Sequence, residues 1–402
     1  MEAKATVIIE SGAIGEPQAN GGESGGGERG VRRLGGSSPA GCNSSGSAVR
    51  VLVTVPDMRL PGGVTGLFKQ LRLDSDKNVE YFSINFGVGR LRKLFLPYLY
   101  LRFALKVASF DVVHINPSLD AKSYFRDMVF CWISKRLFFR RTIVYWHGWD
   151  ERFAQMLMST NLSRWLHSVT FSYADVHIVL AKSFGRDLRN LGVHGEVLME
   201  SNVASEVRAC NVGRSADRET SSCLKLLYIS RITDGKGWDI ALQSMAVLRG
   251  RGINDVHLTI AGDGDRLDVA RKLAADLGLR NVEFCGYVAG PEKELLFENS
   301  HVLFFPTCYP EGMSLVILEA MMHGMAVVTR RVGGIGDHID DQCGLVTDSK
   351  KPEDFSDYIT LLASDRALIV NIARHNRRWA LDHFAPERLV ARLWQLYRGV
   401  VA

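Results

Sequence analysis

From Val49 onward, short apolar runs alternate with longer stretches whose apolar residues recur at helical spacing. Arg50 to Pro56 (RVLVTVP) is apolar on both faces of an extended chain and predicts a buried strand. Runs of the same kind predict strands at Glu80 to Phe86, Asp111 to Asn116, Thr142 to His147 and Val176 to Ala181. Helical windows lie between them, including Tyr124 to Phe138 and Lys182 to Leu191. Strands alternating with helices specify a mostly parallel sheet covered on both faces, so residues 49–204 read as one α/β domain. Residues 205–222 are almost wholly polar and read as a linker. The alternation then restarts over 223–375. Strands are predicted at Leu224 to Ile232, Val256 to Ala261, Val282 to Tyr287, Val302 to Pro306 and Ala326 to Thr329. Helices are predicted at Trp238 to Arg249, Leu267 to Leu277, Glu292 to Asn299 and Ser314 to His323. Residues 376–402 form a closing helical segment. Its stripe of Leu389, Leu393, Leu396 and Tyr397 is expected to cross back onto the first domain.

Length changes little in this picture: 402 residues suit two domains better than one core. Composition changes the N-terminus. Residues 1–48 are rich in Gly and Ser and hold too little apolar surface to offset the entropy of ordering, so they read as a disordered tail without a signal-peptide core. The seven cysteines form no close pair, which favours a reduced, cytosolic setting. A net charge of +5 permits anionic partners without demanding nucleic acid.

Ligands of doubly wound sheets bind outside the carboxyl ends of the strands, so polar residues there are the candidates. Thr307 to Ser314 (TCYPEGMS) follows an apolar strand and opens a helix, with Glu319 eight residues after Glu311. Ser314 suits an N-cap, and the free N–H groups of the first turn suit an anion. Glu311 then stands where it can accept hydroxyl hydrogen bonds, although a solvated loop acid fits the spacing equally well. Arg231 and Lys236 follow the first strand of the second domain. Two cations there suit an anionic ligand; surface solubility is the plain alternative for Lys236. In the first domain, Gly62 and Gly63 let the main chain approach a phosphate, or make an ordinary turn. His147 ends a strand among aromatic neighbours, a setting that also suits a structural histidine, and Asp150 is a weaker candidate. Asp263 and Asp265 flank Gly264 and read as turn residues rather than metal ligands.

The segment EGMSLVILEAMMHGMAVVTRRVGG resembles the E-x7-E signature of retaining, two-domain nucleotide-sugar glycosyltransferases of the group 1, family 4-like kind. Arg231 with Lys236-Gly237, Ala261-Gly262-Asp263-Gly264 and Gly333-Gly334 resemble further pieces of the same pattern. The resemblance implies the GT-B architecture: two Rossmann-like domains facing a cleft. It makes Glu311, His147, Arg231 and Lys236 catalytic. Gly62, Gly63, Gly312, Met313, Ser314, Leu315 and Glu319 then line the donor site, with Glu319 on the ribose and the base near Tyr287, Val288 and Leu315. Asn202 matches the turn into the linker, where this chain lacks the family's glycine, and Asp337 is a minor sugar contact. The mechanism implied is same-face transfer with retention, with no metal and no cofactor beyond the nucleoside-diphosphate-sugar donor.

The acceptor side is read from charge. Arg90 to Lys106 carries five cations and no acid, and Lys135 to Arg141 adds four, both among aromatic residues. No run is long and apolar enough to span a bilayer, but basic, aromatic helices lie in anionic membrane surfaces. A lipid-linked saccharide acceptor in surface-polysaccharide synthesis is therefore expected, at the inner face of the plasma membrane. A soluble small acceptor, or an inactive nucleotide-sugar-binding protein, are the alternatives.

Overall fold

The computed structural model describes residues 32–33, 48–60, 62–84, 95–204, 221–309, 311–339 and 341–402. The first domain contains the strands Arg32–Arg33 (β1), Val51–Val55 (β2), Val79–Ser83 (β3), Val112–Ile115 (β4), Ser118–Leu119 (β5), Arg141–Tyr145 (β6), Gly148–Trp149 (β7), Val176–Val179 (β8) and Glu196–Met199 (β9). Its helices are Gly63–Leu71 (α1), Leu96–Val107 (α2), Ala121–Trp132 (α3), Glu151–Ser159 (α4), Asn161–Val169 (α5) and Lys182–Asn190 (α6). Seven strands pair in the order β1-β9-β8-β6-β4-β2-β3, every pair parallel. β2, β4 and β8 are buried along their whole length. That is why apolar residues fill both faces of each strand instead of alternating, with one buried polar residue in each, Thr54, His114 and His177.

The second domain has the strands Leu224–Ile229 (β10), Val256–Ala261 (β11), Val282–Gly286 (β12), Val302–Phe305 (β13), Ala326–Arg330 (β14) and Gly344–Thr347 (β15). Its helices are Trp238–Gly250 (α7), Leu267–Asp276 (α8), Pro291–Asn299 (α9), Leu315–Met322 (α10), Ile335–His338 (α11), Pro352–Ser364 (α12) and Arg366–Phe384 (α13). Six parallel strands pair in the order β12-β11-β10-β13-β14-β15. Both sheets are doubly wound, as the alternation of elements specifies.

The last helix, Pro386–Val401 (α14), returns to the first domain. Leu389, Leu393, Leu396 and Tyr397 are buried in that domain's core, and the Tyr397 hydroxyl is 2.7 Å from His114 Nδ1. Arg392 holds Glu200 through two contacts of 2.5 and 2.9 Å. The crossing is at Ala385. One helix, α13, runs unbroken through the 375/376 boundary expected from sequence, and its Ile369, Ile372, Ala380 and Phe384 belong to the second core.

The reading of residues 1–48 as a featureless tail needs one correction. Arg32–Arg33 form a two-residue strand beside Leu198 and Met199, because β9 would otherwise leave an unpaired edge that any passing backbone can occupy. Most of the remaining tail, and nearly all of the expected linker, lie outside the described residues. Among the described residues no helix is long and apolar enough to cross a membrane.

Candidate active site

Residues just beyond the carboxyl ends of the two sheets meet one another. Leu180 and Lys182 follow β8. The Lys182 N–H donates to Asp337 Oδ2 at 2.8 Å, and its ammonium is 3.5 Å from Oδ1. His338 Nε2 lies 3.1 Å from the Leu180 carbonyl, and Asn202 Nδ2 donates to the Met313 carbonyl at 2.6 Å. Gly312 and Gly334 make this seam possible, and Gly333 shapes the turn beside them. A Cβ on Gly312 would stand 2.7 Å from Leu180 Cβ, and one on Gly334 only 2.3 Å from the Leu180 carbonyl oxygen. Gly333 has φ +57°, and its Cβ would fall 1.9 Å from the Glu311 carbonyl oxygen. Asn202 and Asp337 are thus occupied in joining the domains.

On the second-domain side, Lys236 is buried and its ammonium pairs with the Glu311 carboxylate. The same ammonium sits 4.2 Å from the centre of the Tyr309 ring. The loop between β13 and α10 is held from behind by Arg330, a buried cation that sequence reading missed. Its guanidinium donates to the carbonyls of Thr307, Ser349 and Asp348 at 3.4, 2.6 and 2.8 Å. Ser314 stands at the N-cap of α10, but its hydroxyl caps no N–H, so the first turn keeps its donors for another acceptor. Glu319, one helical turn and more below, is half-buried. Its Oε1 accepts from Lys293 at 2.6 Å, and its Oε2, out of solvent, has no partner among the described residues. Burial pushes its carboxyl above the usual range and Lys293 opposes the shift. Arg231 is exposed, with no side-chain partner among the described residues. Met313 is buried, and Leu315 and Val288 are half-buried, whereas Tyr287 is 74% exposed.

On the first-domain side, the ends of β2, β4 and β6 share a polar chain. Asn116 donates Nδ2 to the Thr54 carbonyl at 2.8 Å, which leaves Oδ1 to accept from His147 Nε2 at 2.8 Å. The proton of the His147 ring is therefore on Nε2, and Nδ1 carries the lone pair. Burial, with His114 adding to it, lowers the ring's pKa to about 3. It is a neutral acceptor, packed 4.2 Å from the Tyr145 ring. Gly62 and Gly63 open α1 with no side-chain cap, and a Cβ on Gly63 would meet nothing within 4 Å. Among the described residues no clash requires glycine there. Asp150 plays a structural part, since its Oδ1 caps α4 through the N–H groups of Arg152 and Phe153 at 2.9 and 3.1 Å.

Residues 218–379 match the model of the glycosyl transferases group 1. The chain has the GT-B fold, and its second domain matches the group 1 glycosyl transferase model. Its fold is similar to that of Anabaena Alr3699/HepE in complex with UDP-glucose, with TM-score 0.68, 16% identity, and coverage of 88% of this chain and 100% of that one. A GDP-mannose-dependent alpha-(1-6)-phosphatidylinositol monomannoside mannosyltransferase of Mycobacterium tuberculosis is 30% identical over 46% of this chain and 49% of its own. The lipopolysaccharide core biosynthesis glycosyltransferase LpsE of Rhizobium meliloti is 25% identical over 56% of this chain and 65% of its own. The chain thus spans about half to two thirds of the length of these curated relatives.

In the GT-B frame, the basic runs of the first domain are more tied down than their sequence implies. Lys106 pairs with Glu80, and Lys135 and Arg141 share Asp175 at 2.8 and 3.2 Å. Arg136 stacks 3.8 Å over Tyr173, and Arg140 donates to the Ala108 carbonyl at 2.6 Å. Arg90, Arg92 and Lys93 lie outside the described residues. What stands out is apolar: Phe95, Tyr98, Leu101 and Leu105 line the outer side of α2, and Leu137 and Phe139 project beyond α3, Phe139 being 83% exposed.

Proposed function

We propose that this protein moves a hexosyl group from a nucleoside-diphosphate sugar to a saccharide acceptor carried on lipid, with retention at the anomeric carbon. The observation that carries the reading is the Lys236–Glu311 pair beside the uncapped start of α10, with the unpartnered Glu319 oxygen farther along the same helix. A diphosphate entering there meets Arg231 and Lys236 and takes over part of the lysine's charge. Glu311, released from full pairing, accepts from hydroxyls of the hexose. Met313, Ser314 and Leu315 place main-chain donors at the phosphates, and Glu319 accepts from the ribose. From the other domain, Gly62 and Gly63 face the diphosphate and His147 Nδ1 accepts from a sugar hydroxyl.

Transfer breaks the bond between the anomeric carbon and the diphosphate oxygen. The acceptor oxygen forms its new bond on the same face, and its proton passes to the leaving phosphate oxygen. Two cations and backbone amides meet the charge that develops, so the reaction proceeds without metal. EDTA should then leave turnover unchanged; activity that dies on chelation and returns with magnesium overturns this part.

Two observations support a lipid-borne acceptor. The relatives compared above are named for a phosphatidylinositol mannoside and for lipopolysaccharide core biosynthesis. The outer side of α2 also exposes four large apolar side chains next to Arg102. The protein would then work in the cytoplasm, peripheral at the inner face of the plasma membrane. Flotation with anionic vesicles should carry the protein, and a Leu101→Asp, Leu105→Asp double variant should stay behind. Equal flotation of the wild type and the double variant rejects the surface.

The donor site is tested by calorimetric titration with UDP, GDP, ADP and their hexose conjugates. Tighter binding of one conjugate than of its parent nucleotide fixes the donor. Silence toward all of them rejects the reading.

A further inference from the structure

Helices α9 and α10 are joined by the Lys293–Glu319 ion pair and by a contact between Glu294 and His323. Lys293 and Phe297 lie four residues apart on α9, and Glu319 and His323 four apart at α10 and its end, so each pair shares one helix face. Lys293 Nζ is 2.6 Å from Glu319 Oε1, and Glu294 Oε2 is 3.0 Å from His323 Nε2. Phe297 is buried between them, its ring 5.1 Å from the His323 ring and 12° from parallel. The Lys293 ammonium stands 5.7 Å from the centre of the same phenyl ring. One carboxylate oxygen of Glu319 is thus anchored, while the other is buried with no donor among the described residues. Buried polar atoms are nearly always paired, so an oxygen left bare beside an anchored one points to a donor that arrives with a ligand.

We infer that Lys293 is a positioning residue: it fixes the plane and the charge of Glu319 so that the free oxygen accepts the ribose hydroxyls of the donor nucleotide. This rests on the donor-site reading above. A carboxylate without an anchor rotates about its last torsion and is pushed towards its neutral form by burial; a charged hydrogen bond to one oxygen opposes both.

The test is titration of the full chain with UDP and GDP, each beside its 2′-deoxy and 3′-deoxy counterparts. The wild type should prefer the ribonucleotide over at least one deoxy form by about tenfold or more. Lys293→Met should lower ribonucleotide affinity by about the same factor and leave deoxynucleotide affinity alone, so that the preference disappears. Lys293→Arg should restore the preference, and Lys293→Gln serves the same comparison should the methionine variant unfold. Three results overturn the inference with the donor site intact: a wild type indifferent to the ribose hydroxyls, a Lys293→Met variant that keeps the preference, or one that loses both ligands equally. A wild type that binds neither nucleotide overturns the donor-site reading itself.

Discussion

At the scale of single residues, the pair of Lys236 and Glu311 combines modest structural value with the proposed chemistry. Both side chains keep some contact with solvent, so water screens part of their attraction. Glu311→Gln should therefore shift Tm by only a few degrees while lowering kcat about a hundredfold or more, read from initial rates beside a melting curve. Four histidines of the first domain behave differently. His114, His147 and His177 are lowered by burial to a pKa of about 3, and His167 to about 4, from an ordinary 6.5. The folded state keeps them neutral, whereas the unfolded chain takes up protons below pH 6.5. Stability is thus complete above that pH and is lost on acidification, by up to about 1.4 kcal/mol per histidine per pH unit. Melting curves should be level above pH 7 and fall steeply below pH 6; a Tm unchanged at pH 5 contradicts this. Glu311 and Lys236 were legible in the sequence because a motif spacing carries them. Lys293, Asn116 and Arg330 were not, since what gives each its meaning is a partner brought near only by the fold.

Elements were legible to the degree that their burial is total. The strands β2, β4, β6, β10, β11, β13 and β14 announce themselves as largely buried apolar runs, whereas β12 is half-exposed. The strands β9 and β15 open on Glu196 and Gly344 and hold no run of four apolar residues, and β1 is two arginines with no apolar residue at all. A short polar residue at a strand end was ambiguous for the same reason. Asp150 stands near the site in sequence, yet its carboxylate is spent on the first turn of α4. Asp150→Ala should cost about 1 kcal/mol of stability in a chemical denaturation curve and leave kcat and KM for the donor unchanged. A selective rise in KM would return Asp150 to the sugar.

For the whole molecule, the seam at Leu180 depends on atoms that cannot move aside. A methyl group on Gly334 would fall within 2.3 to 2.5 Å of two carbonyl oxygens, one from each domain. Gly334→Ala should therefore hold the domains apart: kcat/KM should drop at least about tenfold, because reacting groups lose their alignment. The radius from X-ray scattering should grow while the far-ultraviolet dichroism stays the same. An unaltered radius with normal turnover would show the seam to be incidental. The return of α14 has a consequence for how this protein is born. The hydrogen bond between Tyr397 and His114 joins residues 283 positions apart, which a ribosome adding about 5–20 residues per second separates by roughly 15 to 60 s. The second domain, closed by α13, has all its parts before the first one does. In that interval the seat of Leu389, Leu393 and Tyr397 lies open on a half-made β-sheet domain. The nascent chain thus carries a hydrophobic cleft for chaperones to shield, a need the finished protein does not share.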